Sequence, residues 1–260
     1  MAARRLDGVA GAIIENRRKS EEDRGDLLSM LMLAHGERGD VTHDDVRDNM
    51  IAMFSAGHET TAFTLVWTWI MLAKNPHVEA ALWEELDRVL GGRAPTAEDY
   101  PRLAYTTMII KETLRIYPTG WLLFPRETAV DVVLGGYTIP KGSMIYVAPY
   151  VIHRNPEYFP DPERFNPERF RAGAEKQLPR GAYIPFGLGP RVCMGQHFAM
   201  MEAVLTLAIV AQRYRVSLLG RQSAHEPSGS LALRPPKGVK VRVHERRSVA
   251  TAIAEGAASP

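Results

Sequence analysis

Apolar positions recur almost without a break between residues 42 and 73, the longest helical signal in the chain. Thr42 with Asp45 three residues on has the form of a capping box, and Asn75-Pro76 stops the run. About thirty residues at ~1.5 Å each make a rod of roughly 45 Å, enough to cross a domain. Asn75 is placed to cap a second helix, with Pro76 at its first position and Gly91-Gly92 at its end. A third helix is predicted over residues 103–116, before Pro118. The first forty residues read as helix followed by a turn, with Gly25, Gly36 and Gly39 as breaks.

Beyond Pro118 the period changes. TAVDVVL, the turn Gly135-Gly136, YTI, the turn Pro140-Lys141-Gly142 and SMIYVAP predict a small antiparallel sheet. Residues 155–185 are rich in proline and keep no period, yet are too aromatic and apolar for a solvated linker, so an ordered, packed coil is expected. A helix follows over 194–213, VKVRV marks a late strand, and residues 246–260, ending in ATAIAEGAASP, read as a loose tail. The fold class expected is mainly α with a small antiparallel β part.

Composition narrows the function. The chain has 45% hydrophobic and 24% charged residues, ordinary globular proportions. A formal net charge of +2 leaves no electrostatic footprint for nucleic acid or an anionic membrane. The amino terminus, MAARRLDGVAGAIIENRRKS, lacks a sustained apolar core and reads as neither a secretory signal nor an anchor. The apolar run 51–73 carries His58 and Glu59, so a buried helix is expected there and no transmembrane segment. The only cysteine, Cys193, permits no intrachain disulfide and suits a reducing cytoplasm, the expected location.

Cys193 lies in FGLGPRVCMG, Phe186 to Gly195. A lone cysteine is most often a small core residue, but this one stands after a glycine- and proline-rich loop and before a helix, where N–H groups and the helix dipole favour a thiolate. Gly187, Gly189 and Gly195 allow close backbone approach, and Phe186 offers an apolar cover. Zinc would need more protein ligands than the nearby His197 supplies, and an iron–sulfur cluster wants four cysteines. A sole thiolate makes sense where a cofactor provides the other ligands, and haem is the best match.

The long helix carries AGHETT, Ala56 to Thr61. A zinc-protease HExxH reading fails because position 62 is Ala62. Glu59-Thr60 could be a polar pair on a solvent face, but Met50, Ile51, Met53 and Phe54 before it and Phe63, Leu65, Val66 and Trp67 after it leave little such face. A glycine and an acid–alcohol pair at a buried centre point to a ligand there and to a proton relay. Glu112 and Arg115 share a helical face, a spacing that Glu15/Arg18, Glu21/Arg24, Glu85/Arg88 and Glu168/Arg171 also have, so by itself it says little.

Taken in order, these motifs resemble the cytochrome P-450 family of haem-thiolate monooxygenases. Its haem loop, F-x-x-G-x-R-x-C-x-G, is matched at Phe186, Gly189, Arg191, Cys193 and Gly195, a coincidence with chance probability on the order of 10⁻⁴ or less in such a chain. AGHETT resembles the family's oxygen-activating helix, KETLR its ExxR helix, and PERF, Pro167 to Phe170, its meander. The resemblance implies the cytochrome P-450 fold lacking its amino-terminal region, with residues 1–245 as the carboxyl-terminal portion of a catalytic domain. It implies haem b, with Cys193 as axial iron ligand and Glu59 and Thr60 as the catalytic pair delivering protons to dioxygen. Phe186, Gly189, Gly195, Ala56 and Gly57 would lie against the cofactor, Gly57 giving dioxygen its space. Arg191 and Arg126, in the FPRETA segment, match positions that pair haem propionates, and Glu112, Arg115 and Arg169 would form a buried ion-pair triad. His153 is left as a core or surface histidine.

The activity so implied inserts one oxygen atom of O2 into a hydrophobic substrate, the pocket being expected near Phe54 and residues 122–124. With no flavin or nicotinamide fingerprint, electrons are expected from a ferredoxin or flavodoxin-like reductase, for which Lys176 and Arg180 could form part of a basic face. Two other readings stand beside it: a truncated, inactive haem-binding remnant, and a peroxide-driven relative, which could dispense with the acid–alcohol pair kept here.

Overall fold

The computed structural model describes residues 2–20, 23–38, 42–220 and 227–246. The chain divides into two compact units, Met1–Glu59 and Thr60–Pro260. The first unit holds α1 (Ala2–Ser20), α2 (Leu27–Arg38) and the first part of α3 (His43–Lys74). Its core is Ile14, Leu28 and Val46, with Leu31, Met32 and Met50 packed against them. Arg17 ties the α1–α2 turn, donating from Nη1 and Nη2 to Asp26 at 2.8 Å and to Ser29 Oγ at 2.7 Å. Gly25 breaks the chain as expected, but Gly36 lies inside α2, because one glycine costs a helix only ~1 kcal/mol. Gly39 lies outside the described residues.

The capping box forms: Thr42 N–H donates to Asp45 Oδ2 at 2.7 Å and Asp45 N–H to Thr42 Oγ1 at 3.1 Å. The helix it starts, α3, has its second part in the second unit. There it packs with α4 (Pro76–Leu90), α5 (Ala104–Ile116) and α7 (Gln196–Ala211) around Leu72, Leu82, Leu86, Ile109, Ile110 and Leu207. Asn75 does not cap α4. Its Nδ2 instead donates to Met71 O at 2.8 Å, so the side chain satisfies a carbonyl of the ending helix rather than an N–H of the next. Gly91 closes α4 in the left-handed region, its N–H bonded to Asp87 O at 3.1 Å.

The strands differ from the single sheet expected. β1 (Arg126–Glu127) pairs antiparallel with β4 (Met144–Ile145), and β2 (Val132–Leu134) separately with β3 (Tyr137–Ile139) around the Gly135-Gly136 turn. After the short α6 (Pro149–Ile152), residues 155–185 form a packed coil of turns and single 3-10 turns, with Phe159, Phe165 and Phe170 buried. β5 (Tyr214–Leu218), which the alternation does not reveal, pairs with the late strand, β8 (Val241–Glu245), and β6 (Ser228–Gly229) pairs with β7 (Leu233–Arg234). Residues 247–260 of the expected tail lie outside the described residues. Among the described residues no helix is long and apolar enough to cross a membrane.

Candidate functional site

The loop before α7 is shaped by its glycines. Gly187 and Gly189 take φ of +78° and +77°, which side-chain-bearing residues rarely adopt. This lets the chain turn back so that Cys193 N–H donates to Phe186 O at 2.9 Å, closing the loop on itself. Cys193 is exposed at the end of that loop, three residues before α7, and a Cβ on Gly195 would lie in ordinary contact with its Sγ, at 4.0 Å. Phe186 is half-buried against the core around α5 and α7, while Gly189 and Arg191 are exposed. Among the described residues no group of three or more His, Cys, Asp and Glu side chains gathers as a metal site. The donor chemistry is therefore that of one accessible thiol, and this fits a metal whose other ligands belong to a cofactor.

Thr60, Thr61, Thr64, Thr119 and Phe186 line one cleft of about 30 Å³, so the structure brings the alcohol of AGHETT together with the start of the cysteine loop. Thr64 Oγ1 donates to Thr60 O at 3.0 Å, and Thr68 Oγ1 to Thr64 O at 2.8 Å, diverting carbonyls along this part of α3. Ala56, Gly57 and Glu59 lie on the part of α3 in the first unit. Residues 54–58 are exposed, contrary to the expected buried centre; they lie between the early turn of α3 that buries Val46 and the later turns that are buried from Thr61 onward. Arg126 is exposed on β1, where its Nη1 donates to Phe124 O at 2.7 Å.

The acid–base triad is assembled. Glu112 and Arg115 are both 0% exposed, joined by Arg115 Nε to Glu112 Oε2 at 2.8 Å and Nη2 to Oε1 at 2.9 Å. Arg169 Nε lies 3.5 Å from Glu112 Oε1, and its Nη2 donates to Asp161 O at 2.8 Å. Asn166 N–H adds a donor to Glu112 Oε1 at 2.9 Å. Burial pushes the Glu112 carboxyl up, and these donors oppose that push.

His153, left open by the sequence, is 0% exposed. Its Nε2 accepts from Ile184 N–H at 2.9 Å, so its proton is on Nδ1, which donates to Arg115 O at 3.2 Å. Arg115 Nη1 returns a bond to His153 O at 3.0 Å. Burial pushes the imidazole down to about 4, holding it neutral. No spacing in the chain marks this role, because both partners are backbone groups distant in sequence.

A mainly helical chain with small antiparallel sheets, one accessible thiol before a long helix and a buried Glu112–Arg115 pair joined by Arg169 define the class of protein. The family model for cytochrome P450 matches residues 1–243. The chain is 42% identical over 238 residues to cyclooctatin synthase of Streptomyces melanosporofaciens, a match covering 90% of this chain and 52% of that protein. It is 44% identical over 214 residues to cyclooctat-9-en-7-ol 5-monooxygenase of the same organism, covering 82% and 46%. The crystal structure of the cytochrome P450DA heme domain superposes with a TM-score of 0.86 at 32% identity, covering 93% of this chain and 53% of that one. The chain thus belongs to the cytochrome P450 family, which implies a haem cofactor, and it has that family's fold. It spans about half the length of these relatives.

Proposed function

We propose that residues 1–245 are the carboxyl-terminal portion of a haem-thiolate monooxygenase domain, acting on a hydrophobic substrate. The observation that carries this is the exposed Cys193 thiol, held at the head of α7 by the bond from its own N–H to Phe186 O. Haem b, bound through Cys193 Sγ, would supply an iron that activates dioxygen, the thiolate favouring cleavage of the O–O bond. Cys193 would hold the metal through Sγ at the head of α7. Phe186, Gly189 and Gly195 on the loop would lie against the ring, where their small or flat surfaces permit close approach, and the family resemblance gives Ala56 and Gly57 on α3 the same role. Arg191 and Arg126 would hold the two carboxylates of the cofactor by charge-assisted hydrogen bonds. Thr60, which lines the cleft with Phe186, would pass a proton there, and the family resemblance gives Glu59 the role of replenishing it. Glu112, Arg115 and Arg169 are structural, fixing α5 to the coil.

One oxygen atom would go to the substrate and the other to water, with electrons from a separate ferredoxin or flavodoxin-like donor. A cytoplasmic setting agrees with the single free thiol. The second reading offered by the sequence is a chain that binds haem without turning over substrate.

The test is the reduced, carbon-monoxide-bound difference spectrum of the full chain reconstituted with haem, beside Cys193→Ser. A strongly red-shifted Soret band that vanishes in Cys193→Ser is expected. A band unchanged by the substitution removes Cys193 as ligand and with it the proposal. Substrate turnover with an electron donor then separates the two readings.

A further inference from the structure

Glu79, Trp83 and Asp87 stand one helical turn apart on one face of α4. Arg246, just past β8, lies across this stripe. Its N–H donates to Arg213 O at 2.7 Å, its Nη2 reaches Asp87 Oδ2 at 2.5 Å, and its guanidinium carbon sits 5.0 Å from the Trp83 ring centre. Glu79 is only 6% exposed, and its Oε1 has no hydrogen-bond partner among the described residues; the same is true of Trp83 Nε1 and Arg246 Nη1. A buried acceptor and two buried donors therefore sit along one stripe without partners, an arrangement that costs stability. The charged groups that face Glu79 are Arg215 from β5 and Arg246.

The two acids are not equivalent. The Asp87 side chain keeps 27% of its surface in water, so water can replace Arg246 there, whereas Glu79 has little solvent to fall back on. Trp83 stands midway, about 6 Å along the axis from each acid, and its ring face can carry a guanidinium in either position.

We propose that Arg246 is a latch with two carboxylate seats on α4, Asp87 when Glu79 is neutral and Glu79 when it is ionised, the end of β8 moving with it. Burial pushes the Glu79 carboxyl up from its ordinary value, against the pull of Arg215 and Arg246, which places the exchange above the normal glutamate range.

The indole N–H signal of Trp83 reads the latch directly. In the full chain labelled with ¹⁵N-tryptophan, the signal missing from Trp83→Phe is followed through a pH titration. It is expected to shift with a midpoint above 4.5, the ordinary glutamate value, and to stay flat in Glu79→Gln. Asp87→Asn, which removes the rival seat, should lower that midpoint and also serves if Glu79→Gln does not fold. A flat wild-type signal, an equal titration in Glu79→Gln, or an unmoved midpoint in Asp87→Asn overturns the latch.

Discussion

Arg115 holds four hydrogen bonds at zero exposure: both oxygens of Glu112, the His153 carbonyl and, at 3.3 Å, the Arg164 carbonyl. A lysine carries the same charge but not the planar fork, so it cannot reach these acceptors together. Arg115→Lys is expected to destabilise the fold by about 1–3 kcal/mol, the range for leaving a buried acceptor without its donor. A fall in the urea midpoint, with loss of haem from the reconstituted chain, checks it; a midpoint within error of wild type contradicts it. At this scale the sequence is only partly legible. Glu112/Arg115 share their spacing with Glu15/Arg18 and Glu168/Arg171, and only burial distinguishes them. His153 is less legible still, since the groups that define it are two backbone atoms 38 and 31 residues away.

The elements were easier to read where a local rule decides them. The α3 capping box and the α4 closure at Gly91 need only neighbours in sequence, and both form. β5 and the separation of β1/β4 from β2/β3 depend on pairing with distant chain, which no short window contains. The cysteine loop is the clearest case, because its turn depends on residues that can take positive φ. Gly187→Ala would force a side chain into that region and place its Cβ 3.7 Å from Arg191 O. A loss of about 1–3 kcal/mol is expected, with weakened haem retention, seen as a lower thermal midpoint and a smaller carbon-monoxide band. Full retention of both would show that the loop tolerates another path.

For the molecule as a whole, stability should depend on acid in two opposed ways. His153 is depressed to about 4 from an ordinary 6.5, so the unfolded chain takes up its proton first and stability falls as pH drops through that window, by up to ~3 kcal/mol. Glu79 is raised, so its contribution is lost as pH rises from the ordinary glutamate value. His153→Gln should flatten the acid fall, and Glu79→Gln should steepen it, as measured by urea unfolding at about pH 7.5 and about pH 5. An unchanged slope in His153→Gln would exclude the imidazole as its source. The same histidine also sets an alignment. Its ring spans from the Arg115 carbonyl to the Ile184 amide, two residues before Phe186, whose carbonyl receives the cysteine N–H. A rigid planar spacer between helix and loop works as a gauge block: any error in the seating of α5 is passed on to the sulfur rather than absorbed, so the tolerance of the thiol position is set by a residue that never touches it.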